Sequence, residues 1–349
     1  MSRRLRLTKF QDLSIDDPFF DSLKAGYAEF ADWFLSKANE ELYVVDDDAE
    51  LSGMIYLKRE DGAVSDVEPP LPAKAWLKVG TLKIVPRGTK LGERVIKKIF
   101  DTAFDKGAEG IYVTIFEVHD SLIDLFERYG FQQTATKTTR NGTEIVLTRS
   151  LTDLSGDALK DYPFIHTAGQ SYWLLAIYPE YHTRLLPDSI LRNESQEIVE
   201  DVSHTNTIHK VYISGLSLQR MSPGDVVIFY RTTDRPGHAH YRSVVTSICI
   251  VEEVKTKRDF ADVEDFLSYT RPRSVFTEEE LRDQFRTRHR LSVAKMTYNA
   301  AFNRRTTRGR LIEEGILSVQ PRWDLRALTL GQLTHILSAG EVNARLIVD

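Results

Sequence analysis

The sequence predicts a mixed α/β unit followed by a strand-rich, barrel-type unit that ends in helices. Three observations predict it. The chain has 349 residues, room for about two domains at roughly 150 residues each. Its first part alternates strand-like and helix-like patterns, whereas short runs of apolar alternation separated by Pro-Gly turns dominate after residue 170. Hydrophobic residues make up 42% and charged residues 28%, ordinary globular usage that excludes a disordered or fibrous chain.

The first unit opens with the strand pattern RLRLTKF. In DDPFFDSLKAGYAEFADWFLSKANEE the residues Phe20, Leu23, Tyr27, Phe30 and Phe34 fall three and four apart, which predicts one or two amphipathic helices. The strands ELYVVDD and LSGMIYLKRED flank an acidic turn at Asp46, Asp47 and Asp48 and predict a hairpin. After the Pro-rich PPLPAKA come a strand (AWLKVGTLKIVP), a helix (LGERVIKKIFDTAFDKG), a strand (EGIYVTIFEV), a short helix (HDSLIDLFERYG) and two strands around an RNGTE turn. SLTDLSGDALKD has no periodicity and reads as linker. The expected division is therefore 1–151, a linker over 152–165, and 166–349.

In the second unit SYWLLAIYP, IHKVYISGL, GDVVIFYRT and SVVTSICIVEEV read as strands, with turns at SPGD and RPGH; closing them into a barrel would remove exposed edges. The tail reads as helical. EEELRDQFRTRHR has Thr277 as N-cap and Glu280 to complete a capping box, and LTLGQLTHILSAG stops at Gly340. The one cysteine, Cys249, excludes an intramolecular disulfide and a Cys-based zinc site, and reads as a buried strand thiol. No metal site is expected, because the paired His238 and His240 lack further ligands and no His-Glu-x-x-His occurs. No apolar run of about 18 residues occurs and the start lacks the apolar core of a secretory signal, so a cytoplasmic protein without membrane contact is expected.

Net charge is -5, which by itself suggests no polyanion partner, but it is unevenly spread. Between positions 271 and 310 there are 11 Lys+Arg against 4 Asp+Glu. Nearly all are arginine, the side chain suited to bidentate phosphate contacts. Arg271, Arg273, Arg286, Arg288 and Arg290 are its candidates for nucleic-acid contact.

VGTLKIVPRGTKLGERVIKKIF places a strand before a Gly-containing turn and a helix. Free N–H groups at such a helix start, with glycines that let a ligand approach the backbone, make an anion site. Here the chain resembles the GNAT acetyltransferase superfamily over residues 1 to about 151. Arg87-Gly88-Thr89-Lys90-Leu91-Gly92 resembles the family's pyrophosphate loop, with Lys90 where a glycine usually sits. The order of elements matches, and HDSLIDLFERYGF resembles the family's motif on its fourth helix, closing on Gly130 and Phe131. The resemblance implies a mixed, mostly antiparallel sheet flanked by helices, and acetyl-CoA held by Leu82, Ile84, Arg87, Gly88, Thr89, Lys90, Leu91, Gly92, Glu93 and Phe126.

It also implies departures at the chemistry. Phe126 stands where the family's tyrosine protonates the departing thiolate, and a phenyl ring donates no proton. His119 stands at the usual asparagine, Tyr129 lies three residues from the tyrosine position, and Glu117 ends a strand; these are the catalytic candidates. Transfer would be direct, an amine attacking the thioester while a backbone N–H of VGTLKI polarises the carbonyl, with Gly80 marking a bulge there.

Residues 171 to about 275 resemble the PUA-like barrels, the group of the ASCH and EVE domains, through WLLAIYPEYHTRLLPD, the strand KVYI, and the Pro223-Gly224-Asp225 turn before VVIFYRT. The resemblance implies binding of RNA or modified bases, in a cleft lined by Trp173, Tyr178, Lys210, Tyr212, Tyr230 and Arg231. The leading expectation is an acetyl-CoA-dependent N-acetyltransferase whose second unit recruits RNA (tRNA or rRNA) or an RNA-bound acceptor, with room for a homodimer. The alternatives are a protein acceptor docked by the barrel, and a non-catalytic RNA-binding protein that holds acyl-CoA.

Overall fold

The computed structural model describes residues 5–47, 50–85, 91–189, 207–320 and 322–349. The chain divides into two compact units, Met1–Asp161 and Tyr162–Asp349.

Unit 1 is built on a seven-stranded sheet. Its strands are β1 (Leu5–Lys9), β2 (Glu41–Asp47), β3 (Glu50–Val64), β4 (Leu71–Ile84), β5 (Gly110–Phe116), β6 (Gln132–Thr139) and β7 (Gly142–Ser150). They lie in the order β1-β2-β3-β4-β5-β7-β6, antiparallel except for β4 with β5. The one or two amphipathic helices expected are two short ones, α1 (Asp21–Gly26) and α2 (Phe30–Ser36), separated where Tyr27 turns to extended backbone. Phe20, just before α1, and Phe30 and Phe34 of α2 bury against Phe10, Leu42, Val44, Met54 and Tyr56. Helix α3 (Leu91–Asp105) buries Val95, Ile96, Ile99, Phe100 and Ala103 at spacings of one to four, packs on β3 and β4, and is followed after β5 by α4 (Asp120–Arg128).

Residues 151–161 are ordered by Asp161, which is buried and accepts bonds from the Ser155 and Gly156 N–H groups and the Ser155 hydroxyl, with the Arg149 guanidinium 3.5 Å away. Those donors hold its carboxyl below the usual range despite burial.

Unit 2 carries a six-stranded sheet in the order β10-β13-β12-β11-β9-β14, from β9 (Tyr172–Ile177), β10 (His209–Ser214), β11 (Val226–Arg231), β12 (Val244–Thr256), β13 (Ser292–Thr307) and β14 (Leu325–Leu328). A two-stranded sheet joins β8 (Ile165–His166) to β15 (Ile347–Val348). The six-stranded sheet curls: Tyr212 on its first strand donates from Oη to the Ala176 carbonyl on its fifth, at 2.8 Å. Trp173, Leu175, Val227, Phe229, Cys249, Met296 and Tyr298 fill the concave side. Cys249 is the buried thiol its sequence context predicts, and burial raises its pKa.

The helices are α5 (Pro179–Leu185), α6 (Ala239–Arg242), α7 (Val263–Thr270), α8 (Glu278–Thr287), α9 (Arg308–Glu313) and α10 (Leu330–Ala339). The predicted capping box at Thr277 and Glu280 is present, and α10 ends before Gly340. One expectation changes. The stretch after α8, read as basic and helical tail, is the 16-residue strand β13, paired on both sides by β10 and β12. Its near-continuous burial over Ser292–Asn299 hides the two-residue alternation that announces a strand.

No helix of the described residues is long and apolar enough to cross a membrane. No group of three or more His, Cys, Asp or Glu among them is placed to hold a metal.

Candidate active site and second-unit pocket

The feature that singles out unit 1 is where its one parallel pair stops. β4 and β5 pair only from Trp76 with Gly110 to Val79 with Val113, yet β4 continues to Ile84 and β5 to Phe116. Beyond that point the strands diverge. Alternate residues of a strand turn their peptide groups to opposite sides, so half the peptide groups of Gly80–Ile84 face the gap while the others pair with β3. Gly80 sits at the point of departure. Tyr56 pairs with Thr81 and Leu57 with Val79, which leaves Gly80 as the extra residue of a bulge, as the sequence predicts. A Cβ at Gly80 would meet Cδ1 of Tyr56 at 2.7 Å, so a side chain is excluded.

The gap has two chemically different faces. On one, Leu82 and Ile84 lie on the side where α3 packs, and Gly53 brings the backbone of β3 within 3.1 Å of a Leu91 methyl, measured from its would-be Cβ. Gly92 is held against Leu125 of α4, where a Cβ would come to 2.7 Å. Glu93 is buried. Arg87, Gly88, Thr89 and Lys90 lie outside the described residues. The other face carries Thr81 and Lys83 on β4, Thr114 and Phe116 on β5, and Glu144 on β7, all polar except Phe116. Lys83 donates to the Ser22 hydroxyl at 2.6 Å and to the Phe19 carbonyl, and partial burial lowers its pKa. Glu144 accepts from the Tyr27 hydroxyl at 2.7 Å and lies 3.4 Å from Thr114 Oγ1. Burial, reinforced by that carboxylate, pushes the Tyr27 pKa far up and keeps it a phenol.

The catalytic candidates of the sequence do not gather here. Tyr129 and Phe126 are completely buried, and the Phe126 ring packs edge-on at 4.8 Å against Phe131. Neither has surface to offer a ligand, which corrects Tyr129 as a catalytic group and Phe126 as a cofactor wall. Glu117 and His119 are exposed, and His119 is the N-cap of α4 without a side-chain capping bond. Glu144, Tyr27 and Thr114 were missed. Glu144 carried one signal, a carboxylate one position before the apolar run Ile145-Val146-Leu147 of a strand, which placing it in the RNGTE turn passed over.

In unit 2 the expected six-residue cleft separates. Trp173 is buried with Nε1 bonded to Asp225 at 2.8 Å, Tyr230 packs on Trp323 at 5.2 Å, and Lys210 and Arg231 are buried, Lys210 with its Nζ 5.5 Å from the Tyr298 ring. These four are interior residues, a correction that follows from the strands being covered on both faces. Tyr178 and Tyr212 do come together, in a pocket of about 110 Å³ that also takes Tyr181, Phe276 and Arg288. Tyr178 is 65% exposed, and the rings of Tyr181 and Phe276 lie 5.0 Å apart. Tyr181 and Phe276 were not foreseen.

The basic window is largely neutralised. Arg271 pairs with Glu278 at 2.9 Å, Arg282 with Glu264 and Glu278 at 2.7 and 2.9 Å, and Arg286 with Asp283 at 2.8 Å. Arg273 is half-buried. Arg288 and Arg290 are exposed and have no carboxylate at ion-pair distance among the described residues. The predicted basic surface therefore shrinks to the turn after α8, at the rim of the aromatic pocket.

Residues 7–131, within unit 1, match the model of the Acetyltransferase (GNAT) family. A search of curated proteins finds no match. Among solved structures the chain is similar to ASCH from Zymomonas mobilis, at 14% identity over 48% of this chain and 94% of that one with a TM-score of 0.34. It is similar also to a putative phosphinothricin N-acetyltransferase, at 20% identity over 43% and 98% with a TM-score of 0.33. A third is a GNAT family acetyltransferase from Elizabethkingia anophelis with acetyl-CoA bound, at 14% identity over 42% and 97% with a TM-score of 0.29. At these distances no residue role transfers.

Proposed function

We propose that the chain is an acetyl-CoA-dependent N-acetyltransferase whose second unit binds RNA or an RNA-bound acceptor. The observation that carries the first half is the divergence of β4 and β5 at the Gly80 bulge inside the segment that matches the GNAT family. An opened parallel pair leaves peptide N–H groups fixed in direction and unspent on a ladder. Such dipoles stabilise the oxyanion that forms when an amine attacks a thioester, by about 3 kcal/mol per donor. They require no catalytic side chain, so the phenylalanine at position 126 does not preclude transfer. Leu82, Ile84, Leu91 and Gly92, with the segment Arg87–Lys90 before α3, would hold the acetyl-CoA co-substrate.

The second half is supported by the pocket at Tyr178, Tyr181, Tyr212, Phe276 and Arg288. An exposed aromatic face takes a base by stacking, and an arginine at the rim with no ion-pair partner among the described residues takes a phosphate. Incubation of the full-length chain with isotopically labelled acetyl-CoA and separate RNA and protein pools tests both halves. Label in RNA or on aminoacyl groups is expected. Label only in protein overturns the RNA half, and label nowhere overturns acyl transfer.

A further inference from the structure

We propose that Glu144 is the group that recognises the acceptor: its carboxylate binds the ammonium of a primary amine at the gap between β4 and β5 and takes the proton that makes the amine nucleophilic. The inference rests on the acyl-transfer reading and adds to it the charge of the acceptor and the base that the sequence left unassigned.

Position is the first argument. Thr114, bonded to Glu144, is the first residue of β5 past the last paired one, Val113. The carboxylate therefore stands at the mouth of the gap, on the face opposite α3, so an amine and a thioester could enter from different sides.

Charge is the second. Glu144 is 4% exposed, and a buried carboxylate is normally matched by a cation because desolvation costs several kcal/mol per ion. Here its described partners are two hydroxyls, Tyr27 and Thr114. Three described cations of the same sheet face or the adjoining turn are engaged elsewhere. Lys137, its cross-strand partner on β6, binds Asp66 at 2.6 Å; Arg140 binds Glu29 at 2.9 Å; Lys83 is held by α1. Among the described residues no cation pairs with this carboxylate, and an amine acceptor brings that counter-charge.

The carboxylate is also covered. Tyr27 lies between α1 and α2, its ring 5.3 Å from Phe116, and its hydroxyl closes the carboxylate off. Glu29, two residues on, bonds Arg140 and Asn141 in the β6–β7 turn, tying this cover to the strand that carries Glu144. A phenol offers one hydrogen bond and no charge, so an ammonium can displace it with a stronger, charge-assisted contact.

The step balances. R–NH3+ gives one proton to Glu144, the free amine attacks the thioester carbon, and the C–S bond breaks as the tetrahedral intermediate collapses. The remaining excess proton on nitrogen goes to the CoA thiolate, and Glu144 returns its proton to water. The products are R–NH–acetyl, CoA-SH and one H+.

The test uses the full-length protein and CoA-thiol release with two amines of similar shape. Ethylamine is an ammonium at neutral pH, and 2,2,2-trifluoroethylamine is largely the free amine. Glu144→Gln should lower kcat/KM for ethylamine about 100-fold but for trifluoroethylamine only about 10-fold, because the second needs no proton removed before attack. Glu144→Asp should fall between, and Tyr27→Phe should change mainly KM. An equal loss for both amines, or retention within about 3-fold, overturns the proposal and leaves acyl transfer standing. If Glu144→Gln does not fold, as read by circular dichroism, Glu144→Asp carries the same two-amine comparison. Turnover of neither amine by the unsubstituted protein also overturns it, and the labelling experiment decides separately whether acyl transfer falls as well.

Discussion

Each unit has one parallel strand pair inside its main sheet, and the two pairs behave differently. In unit 2, β9 and β11 stay paired for six residues, from Tyr172 with Val226 to Ile177 with Arg231, and every residue of β11 is buried. In unit 1, β4 and β5 part after four. The first is a closed pair covered on both faces, the usual condition of parallel strands. The second gives up ladder bonds, and with them stability, for backbone groups that can meet a ligand. The closed pair accordingly has its pocket not between strands but where β9 ends, beside α5 and the turn after α8.

Stability is where the contrast should be largest. Ile228, completely buried in the closed pair, should cost about 3 to 4 kcal/mol on substitution by alanine, since the methylenes are lost and the cavity cannot collapse between two covered faces. Leu82 in the open pair is half-buried, and Leu82→Ala should cost about 1 kcal/mol. Denaturant midpoints with unchanged slopes measure both. Equal costs would mean that the open pair is as well packed as the closed one and is no site.

Activity should reverse the order. Gly80→Val forces a side chain onto the Tyr56 ring and distorts the bulge that directs the peptide groups into the gap. Acetyl-CoA-dependent thiol release should fall at least about 100-fold, roughly 2.7 kcal/mol, the loss expected of one or more oxyanion donors. Ile228→Ala should leave that rate unchanged wherever the chain is still folded. Retention of activity in Gly80→Val would move the chemistry away from the gap.

The comparison also explains what could be read from the chain beforehand. The bulge at Gly80 was legible because a glycine inside a strand pattern has few other uses, and the capping box at Thr277 because it is a local device. β13 was not, since a strand buried on both sides loses the alternation that marks it. Which site residues would meet was hidden for a related reason. Tyr178 and Arg288, which share the pocket, are more than a hundred residues apart in sequence, as are Tyr27 and Glu144. Their meeting depends on the sheet order, which no local pattern encodes. Trp173, Tyr230 and Lys210 were misplaced because an aromatic or cationic residue in a strand looks alike whether it faces the core or a ligand.

The smallest effect separates two neighbouring arginines that the sequence treats alike. Arg286 is 80% exposed at its side chain but paired with Asp283 at 2.8 Å, whereas Arg288 stands at the pocket rim without such a partner among the described residues. Exposure is therefore not the relevant difference; the availability of the charge is. Arg288→Gln should weaken binding of a fluorescent single-stranded oligouridine about 5- to 10-fold and reduce the slope of log affinity against log salt by about 1, as expected for one lost phosphate contact. Arg286→Gln should change affinity less than about 2-fold, because breaking its pair with Asp283 offsets what its charge contributes. Equal losses at both positions would indicate binding by diffuse charge along α8 and would remove the pocket from the RNA reading. A loss at Arg288 alone, matched by a loss in Tyr178→Ala that does not alter the salt slope, would tie the phosphate and the stacked base to the same pocket.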